Sequence, residues 1–382
     1  MDFALTEEQR ILRDSVIRFA QGALNERLME RDRDQEFSRD LWRECAKVGL
    51  QGLSAPEEYG GTALDALSTA IALEAFGYGC RDGGLVFSLC AHLLACVMPV
   101  TRHGNKAQKR AYLTGLCDGT LVGAHAITEP GSGSDTFSMR TRAERDGSGW
   151  RINGSKTFIS NGPVADVAIV FAVTDSSKGF HGGLTAFLVE TSRPGFSIGK
   201  KMDKMGLRTS PVGEISFQDM RVDEEHVLGT VGGGSAVFAT AMDWERTLLV
   251  ASHVGAIERL LETSVTYART RNQFGQAIGK FQAVAHKIAD MKVQLEAARL
   301  LTYRAAWRLD HTRNSNLDAS IAKLFVSESL VKAALDTVQI HGGYGYMMEY
   351  EVERTLRDAI GGTIYSGTSE MQRNIIGRWL GL

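Results

Sequence analysis

The sequence predicts an α+β chain of three segments: helices, then a β segment, then long helices. Three observations carry that reading. Apolar residues recur at helical spacing through the first third, the pattern changes near Leu121 to period two with β-branched residues, and after Gly232-Gly233-Gly234 it returns to long amphipathic stretches. The expected segments are 1–120, 121–231 and 232–382. With 382 residues, 43% of them hydrophobic, the chain can bury large cores.

Thr6-Glu7-Glu8-Gln9 has the form of a capping box, and Ile11, Leu12, Val16, Phe19 and Ala20 follow at helical spacing, so a helix starts there. The loop PEEYGG (56–61) separates it from further helical runs at 64–76 and 106–116. Between these, LVFSLCAHLLACVM (85–98) is strongly apolar but contains Ser88 and His92 and falls short of the roughly 20 residues that cross a bilayer. It predicts a buried helix and no membrane span. In WRINGSKTFIS, Asn153-Gly154 stands between two alternating runs and predicts the turn of a β-hairpin. Further strands at 167–173, 184–190 and 214–217 complete an expected antiparallel β domain. The long helices over 236–270, 281–310 and 317–340, joined by short loops, predict an antiparallel bundle.

A net charge of −2 without a long basic run gives no general attraction for nucleic acid or an anionic membrane. The five cysteines (Cys45, Cys80, Cys90, Cys96, Cys117) are odd in number and form no CxxC pair. Neither a metal site nor a disulfide framework is expected, and reduced thiols suit the cytoplasm. MDFALTEEQR has no basic stretch followed by an apolar core, so no signal peptide is expected.

Chemistry is expected at glycine-containing loops. AITEPGSGSD (126–135) lets backbone N–H groups approach a polar or anionic ligand closely, although an ordinary turn explains it as well. QIHGGYGYMMEY (339–350) ends a helix, where a plain C-cap is the competing explanation. GGTIYSGTSEMQR (361–373) runs from a turn into a helix N-terminus and places Ser366 and Ser369 where a nucleophile, a phosphate cradle or a catalytic group could sit.

In this order the stretches resemble the acyl-CoA dehydrogenase family. AITEPGSGSDTFS matches its first signature, and Gln339-x-x-Gly342-Gly343-x-Gly345, followed by Glu349, Arg354 and Asp358, matches its second. RTRNQFG (269–275), FQAVAHKIADM (281–291) and IYSGTSEMQR (364–373) also fit, so the resemblance covers essentially the whole chain. It implies an N-terminal helical domain, a middle antiparallel β-barrel and a C-terminal four-helix bundle, with FAD between them, in a homotetramer or at least a homodimer. It assigns His125, Ile127, Thr128 and Ser134, with Phe158 and Ser160 of KTFISNG, to the flavin; Ser134 also belongs to the substrate side. Phe158 and Ser160 stand where the family usually has Trp and Thr. Arg271, Phe274, Gln282, Gln339, Gly342 and Gly343 would reach the phosphates and adenosine end, partly across a subunit interface. Thr368 and Glu370, at the start of the last helix, would complete that grip.

Many members of that family carry a glutamate in the terminal loop, in the order Tyr-Glu-Gly-Thr, as the base that removes the substrate α-proton. This chain has Tyr365-Ser366-Gly367-Thr368. A serine hydroxyl has no useful basicity at neutral pH unless activated, and no motif pairs Ser366 with a histidine and an acid. In ATAMDWERTLLVAS (239–252), Glu245 shares a helical face with Ala241, Met242, Leu248 and Leu249, none of which can pair with its charge. Burial there raises a carboxyl pKa towards the range suited to a general base; exposure of that face, or a cation from another helix, stays open on the residues alone. The resemblance narrows the choice, because a subset similar to isovaleryl-CoA and long-chain dehydrogenases carries its base at this helix position with a small residue in the terminal loop. It implies α,β-dehydrogenation of an acyl-CoA, Glu245 taking the α-proton as the β-hydrogen leaves as hydride to flavin N5. The oxyanion would meet the Ser366 backbone N–H, with Gly367 beside it, and Arg246 and Asp243 are expected to pair and hold the loop and the thioester end.

A carrier-protein pantetheine in place of CoA fits equally, as in members similar to prolyl-carrier-protein dehydrogenases. The usual electron acceptor of the family is an electron-transfer flavoprotein; an oxidase using O₂ is open too, although acyl-CoA oxidases are usually much longer. Resemblance to nitroalkane oxidases is disfavoured, since they need an acid in the terminal loop. The distant alternative, a non-enzymatic flavin-bearing DNA-binding relative, tends to have a basic C-terminal extension, whereas this sequence ends at Gly381-Leu382.

Overall fold

Thr6 caps the first helix, α1 (Glu7–Ala23), as expected: its hydroxyl accepts from Gln9 N at 3.2 Å while Gln9 Oε1 accepts from Thr6 N at 3.1 Å. The structure, a computed structural model, describes residues 4–312 and 315–382. Helices α2 (Ala66–Gly79) and α3 (Gly83–His103) follow. Among the described residues α3 is the one helix long and apolar enough to cross a membrane, and 94% of its apolar window is buried inside the protein, so the expected buried helix is present.

The middle segment forms strands β1 (Gly123–Ala126), β2 (Arg142–Asp146), β3 (Gly149–Ser160), β4 (Val167–Val173), β5 (Leu184–Glu190), β6 (Phe196–Lys201), β7 (Val212–Asp223) and β8 (Val227–Leu228). They make one eight-stranded sheet in the order β6-β7-β3-β2-β4-β5-β8, with β1 paired to β4. The sheet is mixed, which corrects the purely antiparallel expectation: β1 runs parallel to β4 from Gly123↔Val167 to Ala126↔Val170, and β2 meets β4 in parallel at Arg142↔Val173. The expected hairpin turn at Asn153-Gly154 is also corrected. Both residues lie inside β3, and the turn falls earlier, around Gly147 at φ 63°. The register of β3 on β7 shifts between Ile152 and Gly154, where Asn153 alone opposes Gln218 and Asp219, so a β-bulge lies on β7 with Asp219 left-handed at φ 48°. Gly154 on β3 fills a crowded strand position. A Cβ there would meet Thr141 Cα at 2.8 Å.

Strand β4 is buried on both faces. Val167, Ile169 and Phe171 join the core built with the N-terminal helices, whereas Ala168, Val170 and Ala172 pack with Ile152, Phe187 and Phe217 on the other side. Alternation of side chains along the strand makes one run of seven apolar residues serve both cores.

Helices α4 (Gly234–Thr270), α5 (Gln282–His311) and α6 (Asn316–His341) occupy the expected positions, followed by α7 (Val352–Gly361) and α8 (Ser369–Trp379). Glycines set the crossing of α2 with α4: a Cβ on Gly77 would lie 2.0 Å from Ser252 O, and one on Gly255 2.0 Å from Glu74 O. Gly77→Ala is therefore expected to lower stability by about 1–3 kcal/mol or more through overpacking. Thermal denaturation checks it, and an unchanged midpoint would contradict so tight a crossing.

Candidate active site

Helix α4 brings Glu245 inward together with Ala241, Met242, Leu248 and Leu249, all of them buried; Glu245 itself is 8% exposed. Helix α3 runs antiparallel beside it. His103 Nε2 meets Thr240 Oγ1 at 2.7 Å near one end, Ala95 packs on Ala241 and Met242, and Cys90 lies close enough to feel the Glu245 charge. Burial, followed by that charge, pushes the Cys90 thiol up to about 12. Burial also raises the Glu245 pKa above the ordinary carboxylate value, with the Ser366 hydroxyl, Arg246 and Lys323 working against it. Among the described residues no cation comes within ion-pair distance of Glu245.

The terminal loop is fastened through its carbonyls. Arg246 Nε donates to Ser366 O at 3.0 Å, Lys323 Nζ donates to Gly367 O at 2.7 Å, and Gln372 Nε2 donates to both, at 3.3 and 2.9 Å. Ser366 (φ 56°) and Gly367 (φ 89°) are both left-handed, and a Cβ on Gly367 would press on Gln372 Nε2 at 2.8 Å. The Ser366 N–H donates to no acceptor among the described residues. Arg246 thus holds the loop, but without the expected ion pair to Asp243. Its guanidinium is spent on the loop carbonyl, and Asp243, its pKa raised by burial, senses it only at longer range.

On the sheet side, Lys156 is completely buried and ties the first signature to β3, donating to Ile127 O at 3.1 Å and to Glu129 Oε1 at 2.9 Å. Burial lowers Lys156 to about 8. Glu129 also accepts from the backbone of Arg140 at 2.7 Å and Thr141 at 2.8 Å, so burial, which opposes its charge, is outweighed and its pKa falls. Thr157 N donates to Thr128 O at 2.9 Å, and the next residue, Phe158, sits at φ 56° with 66% of its surface exposed. Ser160 pairs with Val212 on β7. Ile127 is buried, Ser134 is exposed, and the His125 ring lies 4.9 Å from that of Phe171 with its Nε2 buried and without a partner among the described residues. Asn161 Nδ2 donates to Ser88 O at 3.0 Å and joins this turn to α3.

Arg271, Gly342 and Gly343 stand apart from these groups. With Tyr267, Gln273 and Tyr344 they line a surface groove of about 500 Å³ in which the Arg271 guanidinium lies 5.5 Å from the Tyr344 ring. From Glu245 to Arg271 the helix runs about 40 Å at about 1.5 Å per residue. Phe274 (93% exposed), Gln282 and Gln339 are likewise on the surface. Thr368 caps α8, accepting from Met371 N at 3.3 Å, with Glu370 exposed beside it. Lys156, Asn161, Lys323 and Gln372 were not expected as site residues; the bond that recruits Lys323 joins segments far apart in sequence, whereas Gln372 follows the loop it holds by only a few residues.

Three domain families match the chain: the acyl-CoA dehydrogenase N-terminal domain over residues 6–120, the middle domain over 124–220 and the C-terminal domain over 232–381. The chain belongs to the acyl-CoA dehydrogenase family. Among its relatives in that family, an L-prolyl peptidyl-carrier-protein dehydrogenase from Pseudomonas fluorescens is 45% identical over 348 residues, 91% of either chain. A short-chain-specific acyl-CoA dehydrogenase from Megasphaera elsdenii is 40% identical over 99% of both chains. The solved structure described as PigA with FAD and proline superposes with a TM-score of 0.98 at 41% identity, covering 100% of each chain.

Proposed function

We propose that this acyl-CoA dehydrogenase family member is an FAD-dependent enzyme that desaturates a small acyl thioester between its α and β carbons, with Glu245 as the base. One observation carries the reading: a buried carboxyl stands beside the terminal loop, and among the described residues it has no ion pair and the loop's Ser366 N–H has no acceptor. The sheet residues fit a flat heteroaromatic ring, since Phe158 offers an exposed ring from a fixed left-handed backbone, and the first-signature loop is pinned by Lys156. His125 Nε2 is a buried polar atom in want of a partner near that loop. The solved PigA complex with FAD supports assigning FAD here. Bound there, FAD supplies the two-electron acceptor that no amino-acid side chain provides.

The remaining roles belong to the chain. Glu245 takes the α-proton, its raised pKa making it a stronger base than a surface carboxylate. The Ser366 N–H donates to the negative charge that develops on the thioester oxygen, while Arg246, Lys323 and Gln372 keep that donor in place. Arg271, Gly342 and Gly343, so far from Glu245 on the same chain, suit a cofactor site completed by a second copy. The prolyl relative favours an acyl group tethered to a carrier protein; the Megasphaera relative favours free acyl-CoA as the second reading. An electron-transfer flavoprotein would reoxidise the enzyme.

Anaerobic mixing of the yellow holoprotein with prolyl-carrier protein, isovaleryl-CoA and butanoyl-CoA tests this through loss of flavin colour. If none of them bleaches the flavin, the proposal fails. The pH dependence gives a second check. Glu245 must be ionised to act, so the bleaching rate should fall as pH drops through a midpoint above the usual carboxylate value of about 4.3. Stability moves the other way: a carboxyl whose pKa is raised by folding binds more protons folded than unfolded, and its contribution is lost as pH rises through that window. A rate that shows no fall on the acid side, down to the lowest pH at which the protein stays folded, would count against Glu245 as the base.

A further inference from the structure

The Ser366 hydroxyl lies beside Glu245 and has no part in the chemistry assigned above. Its Oγ is shut off from water and has no hydrogen-bond partner among the described residues. It is nevertheless near enough to Glu245 to draw that carboxyl's raised pKa back down. The backbone fixes its place: Ser366 is left-handed at φ 56°, and its carbonyl is gripped by Arg246 and Gln372. Ala241, Met242, Leu248 and Leu249, which share the buried face of α4 with Glu245, have no side-chain donor to offer it. The cations that Glu245 senses are engaged elsewhere, Lys323 on Gly367 O and Arg246 on Ser366 O.

A hydroxyl has one proton to donate and lone pairs with which to accept. The Glu245 carboxylate is the natural acceptor for that proton, so the capacity left over is for a donor. Covalent spacing says where such a donor sits. The N and Oγ of one serine are separated by as many bonds as a thioester oxygen and a substituent on C2. With the Ser366 N–H on the thioester oxygen, Oγ therefore meets what C2 carries besides its hydrogen and C3. We propose that the Ser366 hydroxyl reads a nitrogen on C2 by accepting its N–H, so that the substrate is an α-aminoacyl thioester and not a plain fatty-acyl one. The inference rests on the reading of Glu245 as the base and names the substrate class of that site. An unsubstituted acyl chain would seal Oγ away without a donor, whereas an α-nitrogen satisfies it. The hydroxyl thus selects which thioester binds and leaves proton removal to Glu245.

The test sets S-(L-prolyl)pantetheine against S-(cyclopentanecarbonyl)pantetheine, the same ring with CH₂ in place of N–H. Calorimetric binding to the dithionite-reduced holoprotein, which can oxidise neither ligand, reads recognition without chemistry, and anaerobic bleaching of the oxidised holoprotein reads kcat and KM. The parent should favour the prolyl ligand by about tenfold or more in both assays. Ser366→Ala and Ser366→Gly, the latter at ease in a left-handed backbone, should each bring the ratio to within about threefold of unity, through KM for the prolyl thioester and with kcat little changed. A parent that binds both rings equally overturns the proposal, as does a preference that survives intact in both variants. Discrimination that is lost in the variants, with neither thioester bleaching the oxidised protein, would leave the hydroxyl's role standing and remove the reading of Glu245 as the base.

Discussion

Glu245→Gln keeps its FAD and melts at or slightly above the parent temperature, while thioester-driven bleaching slows by about 10²–10⁴-fold, the span a positioned general base contributes. The amide has nearly the shape of the carboxyl, so packing against Met242 and Leu249 is retained. It also removes a buried charge that folding disfavours, hence no loss of stability. Ser366→Ala should stay within about tenfold of the parent, because the group assigned to it is the backbone N–H and its carbonyl keeps Arg246 and Gln372. Single-turnover absorbance measurements on both variants decide the matter. A dead serine variant beside an active Glu245→Gln would move the base into the terminal loop.

Lys156→Met is expected to have the largest effect on stability, about 3–5 kcal/mol, because it leaves the Glu129 carboxylate buried without its cation. The same change frees Ile127 O and loosens the backbone that precedes Thr128, so flavin retention after gel filtration should drop as well. Adding Glu129→Gln should recover part of the stability, since the orphaned charge is gone, but not the retention. Thermal melts of the apoprotein and the ratio of flavin to protein absorbance separate the two effects. A single variant indistinguishable from the parent in both would remove Lys156 from any role in holding the loop.

What the sequence disclosed depended on how local the cause was. The Thr6–Gln9 capping box and the long helices are written within a few residues of themselves, and both are present. Glu245 was legible because its helical neighbours are all apolar, a pattern that marks the inward face of α4. Asn153-Gly154 misled because the pair that makes a good turn also fits inside a strand, Asn153 facing a bulge on β7 and Gly154 crowded by Thr141, and both partners are distant in sequence. The parity of strands β1 and β4 is set by pairing across some forty residues, which no short window contains. Lys156 left a trace that period two could have exposed, as it shares parity with the buried Trp150 and Ile152. Lys323 left none, because the loop carbonyl it reaches belongs to a distant segment; Gln372, though close to the loop in sequence, reads as an ordinary polar residue in the first turn of α8, and its burial shows only in the fold.

Strand β4 has a consequence for any attempt to take the protein apart. Its two faces belong to different cores, so a fragment cut to the middle segment would present Val167, Ile169 and Phe171 to water as an apolar stripe, and the helices left behind would lose their floor. The three segments are thus recombination partners only as a set, and a chimera that swaps the sheet must bring matching helices with it.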